Sequence, residues 1–346
     1  MIDLRSDFLT RMTATMVAAQ SAAALELHFG LREDPRQRAL EQRLAAVLGH
    51  EDALLFPTCT MANLAAALLL GRRGTRAVMQ RDAHVLTSEA GGLAAVAGLI
   101  PDPLPDDTAM PDLEHWTIAA GIGDEQKPPA SLFILENTHN RAGGIAVPSE
   151  YSRAVVAIAR QFGVALHLDG SRIFNAAAAL GSSVAELARG FDTVAVSLNK
   201  AFGAPVAAAL GGSATLIEQA LVVRQRLGGG IRPTGPAAAA TLAGLDESHF
   251  ATTHALAAAL AQGLEAIDGL RVDTHGVRTN IVVAEVTRAN LTAPQLCDRL
   301  AREGLLTLAF DLRRLRFIAY RGIVSTDIDA TLAIVERVMR EALVAS

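Results

Sequence analysis

From about residue 53 to residue 212, short apolar runs alternate with longer stretches whose apolar positions recur every three or four residues. Runs of four to eight apolar residues read as buried strands, and the 3.6-residue recurrence reads as helix packed on one face. The strands predicted this way are Ala53 to Phe56, Ala77 to Gln80, Ser131 to Leu135, Val164 to Leu168, Val194 to Leu198 and Val206 to Gly212. Between them the pattern predicts helices over Met61 to Leu70, Ser149 to Phe162 and one opened by Thr87 or Ser88. Residues 101 to 130, rich in Pro, Asp and Gly, read as a loop with one helix near Leu113 to Gly121. Upstream, residues 12 to 28 suit an Ala-rich helix. Arg36 to Gly49 suits a second, with Leu40, Leu44, Val47 and Leu48 on one face and Gly49 closing it. Strands alternating with helices call for a mostly parallel sheet covered on both faces.

The pattern changes after an Ala-rich helical stretch at 234 to 267. Strands are expected at Leu270 to Thr274, Asn280 to Val286, Leu305 to Ala309 and Leu315 to Ala319, with helices at Ala293 to Glu303 and Asp327 to Leu343. The organisation predicted is an N-terminal arm over 1–15, a large α/β domain over 16–245 and a small α+β domain over 246–346. The arm reads from its pattern as a frayed terminus, although Asp3, Arg5, Ser6 and Asp7 make it densely polar.

Two strand ends carry the chemistry. Val164 to Leu168 delivers Asp169, followed by Gly170 and Arg172; Val194 to Leu198 delivers Lys200, followed by Gly203 and Pro205. The interval of 31 residues between Asp169 and Lys200 is about one strand–helix–strand unit. Both residues should therefore reach the carboxyl edge of the sheet, where open α/β folds bind ligands. An Asp held near a Lys suits pyridoxal 5'-phosphate (PLP): the amine holds the cofactor as a Schiff base and the carboxylate keeps the pyridine nitrogen protonated. A strand-end salt bridge is the plain alternative. The turn Thr58-Cys59-Thr60 opens a helix whose free N–H groups suit a phosphate, or Thr60 is simply a cap. His84 is structural or catalytic, and Arg224 to Arg232, with its triple glycine, cradles an anion or merely reverses the chain.

Composition narrows the classes. The chain has 346 residues, 51% hydrophobic and 4% aromatic, with net charge −5 and no basic run, so nucleic acid is not an expected partner. Cys59 and Cys297 form no CxxC pattern, which suits a reducing compartment, and no metal is expected. No stretch reaches the roughly 18 unbroken apolar residues of a membrane span, and the charged start lacks the core of a signal peptide. A cytoplasmic protein is expected, with no membrane partner. The mean hydropathy of +0.29 points to a buried subunit interface.

Seven short segments then carry a resemblance over nearly the whole chain. They are Asp-Leu-Arg-Ser-Asp at 3–7, Thr-Cys-Thr-Met-Ala-Asn-Leu at 58–64, Ala-His at 83–84 with Glu-Ala-Gly-Gly at 89–92, and Glu-Asn-Thr-His-Asn at 136–140. His-Leu-Asp-Gly-Ser-Arg at 167–172, Asn-Lys-Ala-Phe-Gly-Ala-Pro at 199–205 and Gly-Gly-Gly-Ile-Arg at 228–232 complete the set. In this order they resemble PLP-dependent enzymes of the aspartate-aminotransferase fold (fold type I), and more narrowly the L-threonine aldolase and β-eliminating lyase family. The resemblance implies that Lys200 carries PLP, Asp169 pairs with its ring nitrogen, and His84 stacks on the ring and serves as an acid or base. It implies that Thr58, Cys59 and Thr60 hold the phosphate, with Arg232 reaching it from a neighbouring subunit of a homo-oligomer, dimer or tetramer. Ser6, Arg172 and Arg316 would hold the substrate α-carboxylate, since a planar guanidinium matches a carboxylate. The arm would then be part of the site.

Departures from the family pattern fall around the substrate. Cys59 stands for a Gly, Asn-Lys-Ala-Phe-Gly replaces Ser-Lys-Gly-Leu-Gly, and Gln225 replaces a Lys. Gln126 stands where a His contacts the substrate hydroxyl, Phe29-Gly30 where the family has Tyr-Gly, and Ile318-Ala319-Tyr320 where it has Val-Thr-His. Gln126 can hydrogen-bond but cannot act as a base near neutral pH. The activity expected is cleavage of a threonine-like β-hydroxy-α-amino acid to glycine and an aldehyde. The alternatives are β-elimination, racemisation or transamination of another amino acid, and a non-catalytic PLP-binding protein.

Overall fold

The structure is a computed structural model and describes residues 1–29, 31–206, 208–245, 249–274 and 279–344. The chain divides into two compact units. The larger comprises Met12–His139 and Val147–Glu247, and the smaller comprises Met1–Arg11, Asn140–Ala146 and Ser248–Ser346.

The larger unit is built on a seven-stranded sheet. Its strands are β1 (Asp52–Phe56), β2 (Arg76–Met79), β3 (Ile100–Pro103), β4 (Ala130–Glu136), β5 (Ala165–Gly170), β6 (Thr193–Ser197) and β7 (Ala208–Gly212), arranged β1-β7-β6-β5-β4-β2-β3. β7 runs antiparallel to both neighbours and every other pair is parallel. β4, β6 and β7 are buried throughout, which is why they appear as unbroken apolar runs rather than alternating ones.

Helix boundaries follow local signals where those are strong. Asp34 caps Pro35–Leu48, its carboxylate accepting from the amides of Arg36 and Gln37, and Gly49 ends the helix at φ 70°. Thr58 caps Cys59–Leu70, accepting from the Met61 amide. Lys200 lies just past the end of β6, on the short helix Leu198–Phe202.

Several expectations are corrected. The helix expected over 12–28 spans only Ala14–Ala23. β3 lies in a segment expected to be loop. It contains Pro101 and Pro103, which an edge strand tolerates because one side of its ladder is unpaired. The helix expected after Thr87 is two short ones, His84–Thr87 and Gly92–Ala95, separated where Ala90 and Gly91 turn to φ 52° and 71°. The stretch 234–267 is two helices, Gly235–Gly244 and Phe250–Glu265, and residues 246–248 of it lie outside the described residues, as do Gly30 and Ala207 of other predicted segments. The triple glycine is a close approach: a Cβ on Gly229 would collide with the sulfur of Met61 on the Cys59–Leu70 helix.

The smaller unit has a four-stranded antiparallel sheet ordered Leu308–Ala309, Arg314–Ile318, Ile281–Val286, Leu270–Arg271. Helices Phe250–Glu265, Ala293–Arg302 and Ser325–Val344 supply the remainder of its core, with Leu260, Leu296, Leu300 and Val335 among the buried side chains. The N-terminal segment is not frayed. Ile2–Asp3 pairs in parallel with Leu305–Leu306, the Ile318 amide donates to the Leu4 carbonyl, and Leu4 is buried in the core.

Candidate active site

A cluster of buried titratable groups gathers at the carboxyl edge of β4, β5 and β6. Parallel register places Glu136 beside Asp169 and Asp169 beside Ala195, so the carboxylate emerges where β6 leads into the Lys200 helix. Asp169 is 1% exposed, and its Oδ1 accepts from the Ser171 amide at 3.1 Å. Ser171 Oγ accepts from Lys200 Nζ at 3.4 Å and donates to Cys59 Sγ at 3.1 Å. One serine therefore joins the lysine and the first residue of the Cys59–Leu70 helix through its hydroxyl, and the aspartate through its backbone N–H. Burial of the sulfur, reinforced by Asp169, pushes the Cys59 thiol up to about 12, so it is a neutral packing group.

Asn63 lies four residues after Cys59, on the same face of that helix. Its Nδ2 donates to Asp169 Oδ2 at 3.0 Å and to Glu89 Oε1 at 2.8 Å, and its Oδ1 faces His167 Nε2 at 3.0 Å. His167 shares the face of β5 that carries Asp169, because side chains two apart on a strand point the same way. Its Nδ1 meets Thr193 Oγ1 at 2.8 Å. Burial holds His167 down to about 4, against the pull of Asp169.

His84 completes the group. Its Nδ1 lies 2.9 Å from Glu89 Oε1, and its backbone N–H donates to Glu136 Oε2 at 2.7 Å. Burial opposes protonation of His84, but the bond to Glu89 and the charges of Asp169 and Glu136 prevail and raise its pKa. Burial likewise raises Glu89, with the His84 bond opposing it.

The other predicted residues fall in different places. Thr58 is exposed and Thr60 partly so, at the open end of their helix, and Arg172 is buried at the start of Ile173–Leu180. Arg232 is exposed, its guanidinium 5.8 Å over the ring of exposed Phe29. Gln126 is exposed in the turn before β4, its backbone N–H donating to Asp124. That is the amino end of a seven-residue strand whose other end carries Glu136. A strand of that length spans roughly 20 Å, so the chain does not bring Gln126 to His84. Ser6 and Arg316 belong to the smaller unit. There Arg316 donates to Asn140 Oδ1 at 2.8 Å and to the Arg5 carbonyl at 2.9 Å, and Ser6 Oγ accepts from the Phe8 amide.

The sequence reading assigned no role to Asn63, Glu89, Glu136, His167 or Ser171. For two of them a local signal existed: Asn63 is one helical turn beyond Cys59, and His167 is two residues before Asp169.

These groups fit PLP. Lys200 offers a primary amine, and Asp169 offers a buried carboxylate whose two oxygens already accept from the Asn63 amide and the Ser171 N–H. The opening amides of the Cys59–Leu70 helix have no partner within that helix and suit a phosphate dianion.

The profile of the beta-eliminating lyase family matches residues 3–287. The chain belongs to that family. Low-specificity L-threonine aldolase 1 of Arabidopsis thaliana is 36% identical over 347 residues, 98% of this chain and 96% of the relative. Among solved structures, Leishmania major threonine aldolase superposes with a TM-score of 0.83 at 18% identity, covering 98% of this chain and all of that one. Serine palmitoyltransferase from S. paucimobilis with bound PLP gives 0.78 at 20%, covering 99% and 88%. The chain is a fold type I, PLP-dependent lyase.

Proposed function

We propose that this lyase cleaves β-hydroxy-α-amino acids of the threonine type to glycine and an aldehyde. The observation that carries the reading is the pairing of His84 with a buried carboxylate beside Asp169 and Lys200, in a chain 36% identical along nearly its full length to a low-specificity L-threonine aldolase. Lys200 and Asp169 hold the cofactor, Thr58, Cys59 and Thr60 hold its phosphate, and Arg172, Ser6 and Arg316 hold the α-carboxylate. PLP, when bound, supplies the electron sink for the bond broken at Cα. His84, its Nδ1 turned to Glu89, takes the β-hydroxyl proton at Nε2, which lets the Cα–Cβ bond break. Cys59 contributes its backbone N–H, the neutral thiol taking no part.

The working form is a homo-oligomer in the cytoplasm. Exposed Arg232, braced on Phe29, serves the phosphate of a second copy. Among the described residues no helix is long and apolar enough to cross a membrane. The reading is tested with a panel of L- and D-amino acids that includes L-threonine, L-allo-threonine and phenylserine. Aldehyde, glycine and 2-oxo acid are scored separately. Aldehyde with equal glycine is expected, and Lys200→Ala abolishes it; 2-oxo acid with ammonia in their place overturns the reading.

A further inference from the structure

We infer that Glu89 is the positioning residue of this site: it decides which nitrogen of His84 holds the proton, and the Asn63 amide ties that choice to Asp169. The inference rests on the proposed reaction only for what His84 does with its proton.

Hydrogen-bond capacity assigns each proton in the chain. Asn63 has two N–H donors, and both are used, one on Glu89 Oε1 and one on Asp169 Oδ2. Its Oδ1 must therefore accept, so His167 donates from Nε2. Burial keeps His167 neutral, so its Nδ1 accepts the Thr193 hydroxyl proton. Thr193, His167 and Asn63 thus form a fixed rod whose donor end faces two carboxylates.

Glu89 Oε1 already receives the Asn63 amide, and the second group at the same oxygen is His84 Nδ1. The Asn63 donor favours the ionised carboxylate, which can only accept, so neutral His84 keeps its proton on Nδ1 and has its lone pair on Nε2. The turn that aims Glu89 here includes Ala90 at φ 52°, a conformation unfavourable for a residue with a Cβ. The His84 backbone N–H donates to Glu136 Oε2, which fixes where the side chain is attached, and the Glu89 contact sets how the ring is turned. The charged groups facing His84 are Glu89 on its own loop, Glu136 on β4 with His139 at 4.0 Å, and Asp169 on β5. Of these, only Glu89 bonds the ring.

The experiment uses holoenzyme labelled with 15N-histidine. Of the nine histidines, His84 is identified by the signal lost in His84→Asn. In the wild type, neutral His84 is expected to carry its proton on Nδ1 and to titrate above an ordinary histidine. Glu89→Gln keeps the shape and an acceptor oxygen but removes the charge. The His84 midpoint and the acid limb of the kcat/KM profile should both move to lower pH, and Glu89→Asp should move both back. A wild-type imidazole protonated on Nε2 overturns the inference even if no variant folds. So does an unmoved midpoint in Glu89→Gln. If the wild type releases no aldehyde, the proposed reaction fails, while the tautomer and the midpoint still decide the role of Glu89.

Discussion

Replacing Asn63 by Ala removes a side chain that is 2% exposed and meets three groups at once. Glu89 Oε1 and Asp169 Oδ2 each lose a donor, and His167 Nε2–H loses its acceptor. A buried polar group left without its partner costs about 1–3 kcal/mol, more if charged. Glu89 Oε1 keeps the His84 contact, so the two groups stripped of their partner, Asp169 Oδ2 and His167 Nε2–H, set a range of about 2–6 kcal/mol, and a water entering the vacated amide volume holds the effect to about 3 kcal/mol. About 3 kcal/mol is a large share of a typical domain's stability. In a unit of this size it corresponds to a fall of roughly 6–12 °C in the unfolding midpoint. The assay is scanning calorimetry of the cofactor-free chain at one scan rate, with Gln126→Ala as the control. Gln126 is exposed and its recorded bond uses only backbone, so its replacement should shift the midpoint by less than about 1 °C. An Asn63→Ala chain that unfolds within about 1 °C of the wild type would show that the amide is not what satisfies these two groups, and the proton assignment built on it would fall too.

Two further outcomes are expected. His167 titrates near 4 in the fold against 6.5 as its ordinary value, so between those values the unfolded chain binds the extra proton. Stability should therefore fall as pH drops from 6.5 toward 4, by about 3 kcal/mol from this residue; urea unfolding at a series of pH values checks it, and His167→Gln should flatten that part of the profile. If Arg232 serves a second copy, Lys200→Ala and Arg232→Ala chains, each inactive alone, should recover activity when mixed and reassembled. Random pairing restores one of two sites in half of the dimers, about a quarter of wild-type activity; no recovery after confirmed subunit exchange would place Arg232 in its own site.

Local chemistry made much of the fold readable. The helix Pro35–Leu48 is bounded by an Asp cap and a left-handed Gly, signals that act within three residues. The buried strands β4 and β6 are legible because a strand covered on both faces leaves a continuous apolar run. β3 was not legible, since its prolines oppose strand formation and only the edge position permits it. The turn at Ala90 was hidden for a similar reason: helix periodicity continues through it, and the contacts of Glu89 decide its course.

The same division runs through the site. Asp169 and Lys200 announce themselves because each ends an apolar run and their spacing matches one strand–helix–strand unit. The groups that orient them are 26 to 106 positions apart in the chain, as Asn63 is from Glu89 and Asp169, and no periodicity links such residues. Sequence by itself determined most strands of the sheet, the cofactor class through the resemblance its short motifs carry, and the placing of Asp169 and Lys200 at neighbouring strand ends, because hydrophobic spacing and short motifs act locally. Only the tertiary structure decided which nitrogen of His84 faces a carboxylate and which amide bridges Glu89 to Asp169. A hydrogen bond is directional and short, and its partners are known only once the strands and helices that carry them are packed.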